Sequence, residues 1–371
     1  MIRDLRVPGV PFGGSCRAVI CCCAALATLT TAVVCRGGTA EPAARPANPR
    51  QAGAAPQLLQ LSGDLRVHDP VIIRQADTFY VFCTSVGRGS GIVPIRCSKD
   101  LYHWTLCGRV FDALPEWATK EIPGARGAWA PDISYYNGKY HLYYSVSTFG
   151  RNDSAIGLTT NRTLDPNSPD YKWVDQGLVV RSHQGKDDWN AIDGNLVIQD
   201  EQNVWLCWGS FWGGIMMRRI DPQTGKLSTT DTTLHNLARR PRGGPDATPP
   251  QEGAIEAPFI VRHDGWWYLF ASFDFCCRGA KSTYNIRVGR AQNVAGPYVD
   301  KAGAPMLEGG GTIVLEATTP NWRGPGHQAV LQDLSGDYLV FHAYHAQTGR
   351  PELKISTLAW DAGWPHAATL P

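Results

Sequence analysis

The sequence predicts an all-β fold, a five-bladed β-propeller, for three reasons. One hairpin signature, in which a turn leads into a short apolar strand, a polar turn and an aromatic strand, occurs five times. The copies align at positions 70, 131, 194, 258 and 327, at steps of 61, 63, 64 and 69 residues. No amphipathic helical stretch of normal length lies between them. Evenly repeated sheets without helices favour radial packing into a propeller.

Each copy leaves room for about four short strands, the usual content of a propeller blade. The first copy runs from Asp69 to Phe82, and the others cover 130–144, 193–208, 257–270 and 327–341. Three turn-forming pairs stand where hairpin loops are expected. They are Asn137-Gly138, Asp264-Gly265 and Gly336-Asp337.

Acids and a histidine recur at the start of the five inner strands. In a propeller these starts face one mouth of the central channel. They carry Asp69, Asp132, Asp193, Glu256 and His327. An Asp before Pro commonly forms a turn and a single histidine is commonly a core residue, so each has a structural interpretation by itself. Their recurrence in five blades predicts a functional cluster at that mouth.

The composition excludes some classes of binding partner. The 371 residues are 43% hydrophobic and 18% charged, which is enough apolar material for one large domain. A formal net charge of +2, with both signs interspersed, argues against a nucleic-acid-binding stripe or an electrostatically bound membrane surface. A neutral substrate and a monomer are expected. The 13 Trp and 13 Tyr offer flat faces that could bind sugars, although strand packing accounts for most of them.

Residues 1–40 are expected to be a secretory signal peptide. Arginines precede an apolar run from Ala18 to Val34, and small residues at 38–40 form a cleavage pattern. The run falls short of the roughly 20 apolar residues of a membrane span, which leaves a permanent anchor or lipidation at Cys35 as alternatives. Residues 41–58, rich in Ala and Pro, are expected to be a flexible linker and 59–371 the propeller. The sequence thus predicts a secreted protein, extracellular or periplasmic.

Six cysteines fall in the predicted propeller, and their spacing matches no zinc motif. Export permits disulfides among them. The adjacent Cys276 and Cys277 could bond to each other, pair elsewhere or stay free. The remaining four are Cys83, Cys97, Cys107 and Cys207.

Several segments together resemble glycoside hydrolase family 43, and within it the endo-α-1,5-arabinanases. His68-Asp69-Pro70 and Glu252–Pro258 are typical of the whole family. Ser210-Phe211-Trp212 and Cys276-Cys277-Arg278-Gly279 are more typical of its arabinanases. Further matches at 129–133, 191–193 and 324–327 extend the resemblance over almost the whole mature chain.

The resemblance implies endo-hydrolysis of α-1,5-L-arabinofuranosidic linkages in arabinan with inversion. On the matching positions, Asp69 is the expected general base and Glu256 the general acid, and Asp193 is expected to raise the pKa of the acid. An inverting glycosidase holds acid and base roughly 6.5–9.5 Å apart, so that a water fits between base and sugar. Glu256 is preferred to Glu252 because it lies at the strand start.

Sugar contacts are expected from the loops around these acids. Phe211 and Trp212 follow the third aromatic strand, where a ring could stack on an arabinofuranose. Asp132 falls one residue after its aligned proline, so it is expected to contact substrate or support the site, with a turn-stabilising Asp as the alternative. Hydrogen bonds to the sugar are expected from the remaining candidates, Asn195, Ser210, Arg278, Ser282 and Tyr284.

Arabinanases with the Gly324–His327 motif carry a cation, usually calcium, at the propeller centre. The resemblance therefore implies His327 as its only direct protein ligand. Calcium prefers six to eight oxygen ligands, so waters held by acids such as Asp69 and Asp193 are expected to fill the other positions. A buried histidine bonded to the backbone is the alternative.

Three other functions stay open. An exo-acting α-L-arabinofuranosidase or β-xylosidase on the same fold needs a pocket closed at one end instead of an open groove. A non-catalytic carbohydrate-binding propeller is disfavoured because all three carboxylates are present. The fructan-cleaving five-bladed hydrolases work by retention, and the Glu256 and His327 motifs fit them less well.

Overall fold

The strands form five sheets in chain order, which confirms the predicted five-bladed β-propeller. The computed structural model describes residues 55–86, 90–241 and 253–371. The expected signal peptide at 1–40 and most of the expected linker lie outside the described residues. Within each blade successive strands pair, and the first strands of neighbouring blades contact one another around the channel.

Four strands make up each blade, with one short extra strand in the first. Blade 1 contains β1 (Ser62–Gly63), β2 (His68–Gln75), β3 (Thr78–Thr84), β4 (Ile92–Ser98) and β5 (His103–Phe111). Blade 2 contains β6 (Trp129–Tyr136), β7 (Lys139–Val146), β8 (Ser154–Asn161) and β9 (Val174–Ser182). Blade 3 contains β10 (Asn195–Ile198), β11 (Val204–Trp208), β12 (Ile215–Ile220) and β13 (His235–Ala238). Blade 4 contains β14 (Ile255–His263), β15 (Trp266–Phe273), β16 (Asn285–Ala291) and β17 (Thr312–Leu315). Blade 5 contains β18 (Trp322–Asp333), β19 (Gly336–His345), β20 (Pro351–Asp361) and β21 (Trp364–Ala367).

Helical structure is confined to short segments in the described ranges. One α-helix, α1 (Glu116–Glu121), and two 3₁₀ turns, Gly279–Lys281 and Met306–Glu308, connect strands. In the part of the chain that the structure describes, no helix has the length and apolar character needed to cross a membrane.

Five apolar clusters hold the blades together, one between each pair of neighbours. Large rings such as Trp208, Tyr143 and Phe341 are fully buried there. Each such side chain contributes roughly 1.5–3 kcal/mol by leaving water. Most aromatic residues of the hairpin repeat therefore serve packing.

The segment before blade 1 closes the ring. Leu58 bridges to Ser356 of blade 5, and β1 then pairs in parallel with β5 of blade 1. Thr357 donates its backbone N–H to the carbonyl oxygen of Gln57 at 2.9 Å. Gln57 and Leu58, expected in the linker, thus belong to the propeller.

Each blade has the same one-residue bulge near the start of its inner strand, and in blade 3 the bulge precedes β10, where Gly209 donates its N–H to the carbonyl oxygen of Ile192 at 2.9 Å. In blade 1, for example, His68 pairs with Thr84 and Val71 with Phe82, so three steps on one strand face two on the other. The bulged residue has a left-handed backbone in all five blades, with φ between 45° and 60°. Such bulges redirect a side chain. The five bulged residues are Asp69, Ala130, Asp193, Ala257 and His327.

The backbone N–H of each bulged residue is bonded across a blade junction. Ala130 donates to Thr84 Oγ1 at 2.7 Å, and Asp193 donates to Ser145 Oγ at 2.9 Å. His327 and Asp69 repeat the pattern, donating to Ser272 Oγ at 2.8 Å and to His342 Nδ1 at 3.1 Å. These four acceptors are equivalent. Each lies on the second strand of its blade and pairs with the residue just before the bulge of that blade.

The junction between blades 3 and 4 departs from this pattern. Gly209 occupies the acceptor position there, and a Cβ on it would collide with the carbonyl oxygen of Gly214. Since no side chain fits, the N–H of Ala257 donates instead to Asp193 Oδ2 at 3.1 Å.

Two predicted hairpin turns are confirmed and one is wrong. Asn137-Gly138 and Asp264-Gly265 both have positive φ at their two central residues, as a type I′ turn requires. Gly336 and Asp337 instead open β19, and the turn lies two residues earlier at 334–335. The fifth repeat is also displaced by one, since His327 is the equivalent of Asp69 and not of Pro70.

Candidate active site

The bulges bring four predicted residues to one mouth of the channel. Asp69, Asp193 and His327 occupy the bulge position itself, and Glu256 directly precedes the bulge in blade 4. The three acids are buried. Asp132 lies two residues after the bulge of blade 2 and faces a different neighbour. The sequence predicted that Asp132 is offset from the other acids, but it did not predict the bulge, which has no sequence signature of its own.

Asp69 is held by three side chains. Oδ2 accepts a hydrogen bond from Thr84 Oγ1 at 2.6 Å, while Oδ1 lies 2.8 Å from His68 Nδ1 and 3.1 Å from His327 Nδ1. Burial alone would raise the pKa of Asp69, but the two histidines outweigh it and hold the pKa well below its usual range. A carboxylate has about four lone-pair sites, so one stays free for a water.

Two further residues, His342 and Tyr344, lie next to Asp69 and His68. His342 Nδ1 accepts the N–H of Asp69, so the ring carries its proton on Nε2, 3.2 Å from the Tyr344 hydroxyl. His68 Nε2 lies 2.7 Å from the same hydroxyl, and the two imidazole rings stack at 4.0 Å. Burial lowers the pKa of His68, and Asp69 raises it by more, to about 10. Sequence reasoning missed His68, His342 and Tyr344 as site residues, although His342 comes just after the fifth aromatic strand as Thr84 comes just after the first.

Glu256 is positioned by two hydroxyls. Ser210 Oγ donates to Oε2 at 2.6 Å, and Tyr284 donates to Oε1. Hydroxyl groups accept as well as donate, so both partners can also accommodate a protonated Glu256. Ser210 and Tyr284, predicted to bind sugar, thus contact the predicted acid. The alternative acid, Glu252, lies outside the described residues.

Among the acids of the site, Asp193 has the pKa that neighbouring negative charges raise most. Burial raises its pKa, Glu256 and Asp69 raise it further against the effect of His327, and the pKa reaches about 8. The N–H of Ala257 stabilises the ionised form. The negative charges around Asp193 thus oppose its own ionisation.

Asp132 and Asn195 bind each other and the neighbouring strands. Asp132 accepts hydrogen bonds from Asn195 Nδ2 at 3.0 Å and from the backbone N–H of Leu196 at 2.8 Å. Asn195 Oδ1 accepts the N–H of Ile260 at 2.9 Å. Both are buried, and these bonds join blades 2, 3 and 4. The geometry favours a supporting role for both, and substrate contact by either stays a prediction.

The predicted stacking and cationic residues lie on adjoining loops of blades 3 and 4. Phe211 and Trp212 are half-buried, with φ of 56° and 41°. Phe211 lies 6.0 Å from Phe275, centroid to centroid, and the exposed Arg278 guanidinium lies 3.8 Å over the same Phe275 ring. Ser282 Oγ accepts the Arg278 N–H at 3.1 Å, so it orders this loop.

A cavity of about 330 Å³ opens between blades 1 and 2. Thr84, which bonds Asp69, lines it together with Trp129, Arg126 and Phe149. Phe149 is 80% exposed, although a large apolar ring is normally covered. Sequence reasoning missed Phe149, because it stands in a turn after β7 with no distinguishing pattern.

Comparison with known proteins decides the family. Residues 63–365 match the model for the glycosyl hydrolases family 43. The chain belongs to glycosyl hydrolase family 43. It is therefore a glycoside hydrolase, and this mouth of the propeller is where the acids of such an enzyme are expected.

Relatives of this family 43 hydrolase cover most of its length. The extracellular exo-α-(1→5)-L-arabinofuranosidase of Cellvibrio japonicus is 43% identical over 304 residues, 81% of this chain and 86% of the relative. The extracellular endo-α-(1→5)-L-arabinanase 1 of Bacillus subtilis is 41% identical over 301 residues, 81% of this chain and 87% of the relative. The solved structure of Cellvibrio cellulosa α-L-arabinanase complexed with arabinohexaose has a TM-score of 0.76 at 41% identity, covering 82% and 96% of the two chains.

His327 has one ring nitrogen available for a cation in this family 43 site. Nδ1 faces Asp69, and Nε2 has no hydrogen-bond partner among the described residues. Burial lowers the pKa of His327, and Asp69, followed by Asp193 and Glu256, raises it by more, to about 9, so a cation at Nε2 would replace a proton. A cation with mostly water ligands fits this donor set. A second cluster, His68, Asp69 and His342, has donor atoms within 4.8 Å of one another, but its ring nitrogens are already engaged with Asp69 and Tyr344.

One disulfide joins cysteines of the family 43 domain, between Cys97 of β4 and Cys107 of β5. Cys276 and Cys277 are both free, as are the buried Cys83 and Cys207. Of the possibilities that the sequence left open, the structure therefore has the adjacent pair as thiols.

Proposed function

We propose that this hydrolase cleaves α-1,5-L-arabinofuranosidic linkages inside arabinan chains with inversion of configuration. The observation that carries the proposal is the arrangement at the channel mouth, where Asp69, with a pKa held well below its usual range, lies close to Asp193 and Glu256, and burial and these neighbouring charges raise the pKa of Asp193 to about 8. The names of the Cellvibrio and Bacillus relatives support arabinan as the substrate. Their extracellular location and the Cys97–Cys107 disulfide support secretion.

In the proposed mechanism, Asp69 is the base. Its lowered pKa keeps it ionised across the working pH range and makes it a weak base, so its main contribution is to orient the attacking water. The oxocarbenium-like transition state attracts that water without requiring full proton removal beforehand. Thr84 and His68 fix the carboxylate orientation.

Glu256 is the proposed acid and donates its proton to the departing glycosidic oxygen. Ser210 and Tyr284 fix its two oxygens. In its ionised form, which the N–H of Ala257 stabilises, Asp193 would keep a proton on Glu256 by charge repulsion. This division of roles follows the two-carboxylate chemistry of inverting glycosidases.

Binding surfaces on both flanks of the acids favour endo action. Phe211, Trp212 and Arg278 lie on the blade 3 and 4 side, and the cavity with Trp129 and Phe149 lies on the Asp69 side. A sugar chain passing from one flank to the other would cross the cleavage point. Exo action is the second candidate, since the Cellvibrio relative carries an exo name.

We also propose a calcium ion bound through His327, with waters completing its shell. Imidazole is a poor calcium ligand, so nearby carboxylates such as Asp69 and Asp193 would hold those waters. When bound, the cation would stabilise the ionised carboxylates around it. Exhaustive chelation with elemental analysis tests this. Full activity in metal-free protein contradicts a catalytic role, and untreated protein without metal contradicts the site.

Chromatography of early products from debranched arabinan tests the proposed function. Endo action yields a ladder of oligosaccharides before short products accumulate, whereas exo action releases one product length from the start. Glu256→Gln is the matched control for contaminating activity. Release of sugar from xylo-oligosaccharides but not from arabinan would contradict the proposal.

A further inference from the structure

Two adjacent free thiols lie at the rim of the site, on the segment after β15. Cys277 is exposed and Cys276 half-buried, whereas the other free cysteines of the described ranges, Cys83 and Cys207, are buried. The proposed hydrolysis uses neither Cys276 nor Cys277. A reagent in solution therefore reaches this pair first.

Cys277 is fixed against the histidine that holds Asp69. Its backbone N–H donates to the Tyr344 hydroxyl at 2.9 Å, and that hydroxyl lies 2.7 Å from His68 Nε2. Cys277 Sγ lies 3.9 Å from the same Nε2. The other nitrogen of His68 contacts Asp69 at 2.8 Å. Thiol, imidazole and carboxylate thus form one continuous chain from the surface to the proposed base.

The surroundings activate this thiol. The neighbouring thiol of Cys276 stabilises the Cys277 thiolate, desolvation by the surrounding groups opposes this, and His68 stabilises the thiolate further, so that the pKa of Cys277 falls to about 6. An ordinary cysteine, with a pKa of about 8.5, is only a few per cent thiolate at neutral pH. Cys277 combines this ionisation with exposure, the two properties that govern thiol reactivity.

We propose that Cys277 is a modification site for low-molecular-weight disulfides and soft electrophiles, and that an adduct there blocks hydrolysis. In the exchange step the Cys277 thiolate attacks one sulfur of the reagent. A new sulfur–sulfur bond forms, the reagent's own bond breaks, and its second sulfur leaves as a thiolate that takes a proton from water. The adduct would stand between His68 and Arg278, where the proposed substrate passes. This blocking effect rests on the proposed function, whereas the reactivity does not.

Labelling kinetics of the folded full chain test the reactivity. N-ethylmaleimide followed by peptide mass spectrometry should label Cys277 at least about tenfold faster than Cys83 or Cys207. Cys277→Ser should remove the fast phase, and Cys276→Ser should keep a labelled Cys277. Equal labelling of all four thiols, or fast labelling of Cys276 alone, would overturn the proposal.

Activity after treatment with oxidised glutathione tests the blocking effect. Wild-type activity should fall in proportion to the modified fraction, to less than about a tenth at completion, and return with dithiothreitol. Cys277→Ser should keep its activity under the same treatment. Full activity of a fully modified wild type would overturn the blocking effect. The labelling rates need no substrate, so a failure of the proposed arabinan hydrolysis would leave them interpretable.

Discussion

The backbone N–H of Ala257 donates to Oδ2 of Asp193 at 3.1 Å. At the other four blade junctions the acceptor is instead a side chain on the second strand of the preceding blade. The acceptor differs because Gly209 leaves no room for a side chain at the usual acceptor position. Asp193 thereby completes a structural bond of the propeller and is held beside Glu256. The same contact that joins two blades sets the charge environment of the proposed acid.

Asp193→Asn should move the basic limb of the pH–rate profile to lower pH. A negative charge on Asp193 repels a second charge on the neighbouring proposed acid, so removing it should let that acid lose its proton more readily. The profile of kcat against pH measures the shift. Asp132→Asn is the matched control, because Asp132 is an equally buried acid bonded to Asn195, and its limb should stay in place. A lower rate with an unchanged limb in Asp193→Asn would show that Asp193 only orients substrate.

Asp69→Asn and Glu256→Gln should each lower kcat about 10²–10⁴-fold, the usual contribution of one acid or base. Thermal melting should show an intact fold. The two variants should differ on an aryl arabinofuranoside, since a nitrophenolate leaves without a proton. Glu256→Gln should recover most activity on it, whereas Asp69→Asn should not. Equal losses on both substrates would contradict the division into acid and base.

Proton NMR of the first turnovers should show the β-anomer of the new reducing end, formed from the α-linked substrate. A single displacement by water from the Asp69 side requires this inversion. The spectrum has to be read before mutarotation mixes the anomers. Initial accumulation of the α-anomer would indicate a covalent intermediate and exclude Asp69 as a simple base.

Phe149→Ala should lower kcat/KM on long arabino-oligosaccharides by about tenfold, since covering one aromatic face is worth about 1.5 kcal/mol or more. Short substrates that do not reach the cavity should be unaffected. Tyr135→Ala is the control, because Tyr135 is also an exposed aromatic residue of blade 2 but lies at the far end of β6. An equal loss on all chain lengths would contradict a binding role for the cavity.

Replacing Cys97 and Cys107 together by alanine should lower the free energy of unfolding by about 2.5–3 kcal/mol, the entropy expected for a loop of this size. Denaturant titration measures the change, and kcat should stay near the wild-type value because the bond joins β4 and β5 away from the acids. Reductant should destabilise the wild type to a similar extent and leave the double variant unchanged. Equal stability of both oxidised proteins would mean that the disulfide is dispensable.

The sequence allowed the fold to be predicted, because each hairpin repeats the same order of apolar strand, turn and aromatic strand. It also located Asp69, Asp193, Glu256 and His327 at one mouth. It also set Asp132 apart, because that residue falls one position after its aligned proline. It did not reveal the bulge that redirects the side chains, since the bulge depends on cross-strand register and leaves no mark in composition.

Other parts of the site depend on residues far apart in the chain. The acceptors Thr84, Ser145, Ser272 and His342 differ in type and become equivalent only when the blades are superposed. The disulfide joins Cys97 to Cys107 because two adjacent strands bring them together. A binding role for Phe149 can be inferred only from the cavity beside it.

The five bulges also affect how the specificity of such a protein can evolve. Three of the five redirected positions carry Asp69, Asp193 and His327, but the other two, Ala130 and Ala257, present only a methyl group. Because the backbone already adopts the left-handed conformation there, a single substitution would introduce a new polar group at the channel mouth while every strand keeps its register. Aspartate and asparagine tolerate that conformation better than most residues. Specificity could therefore evolve by substitution at Ala130 or Ala257 without a change of fold.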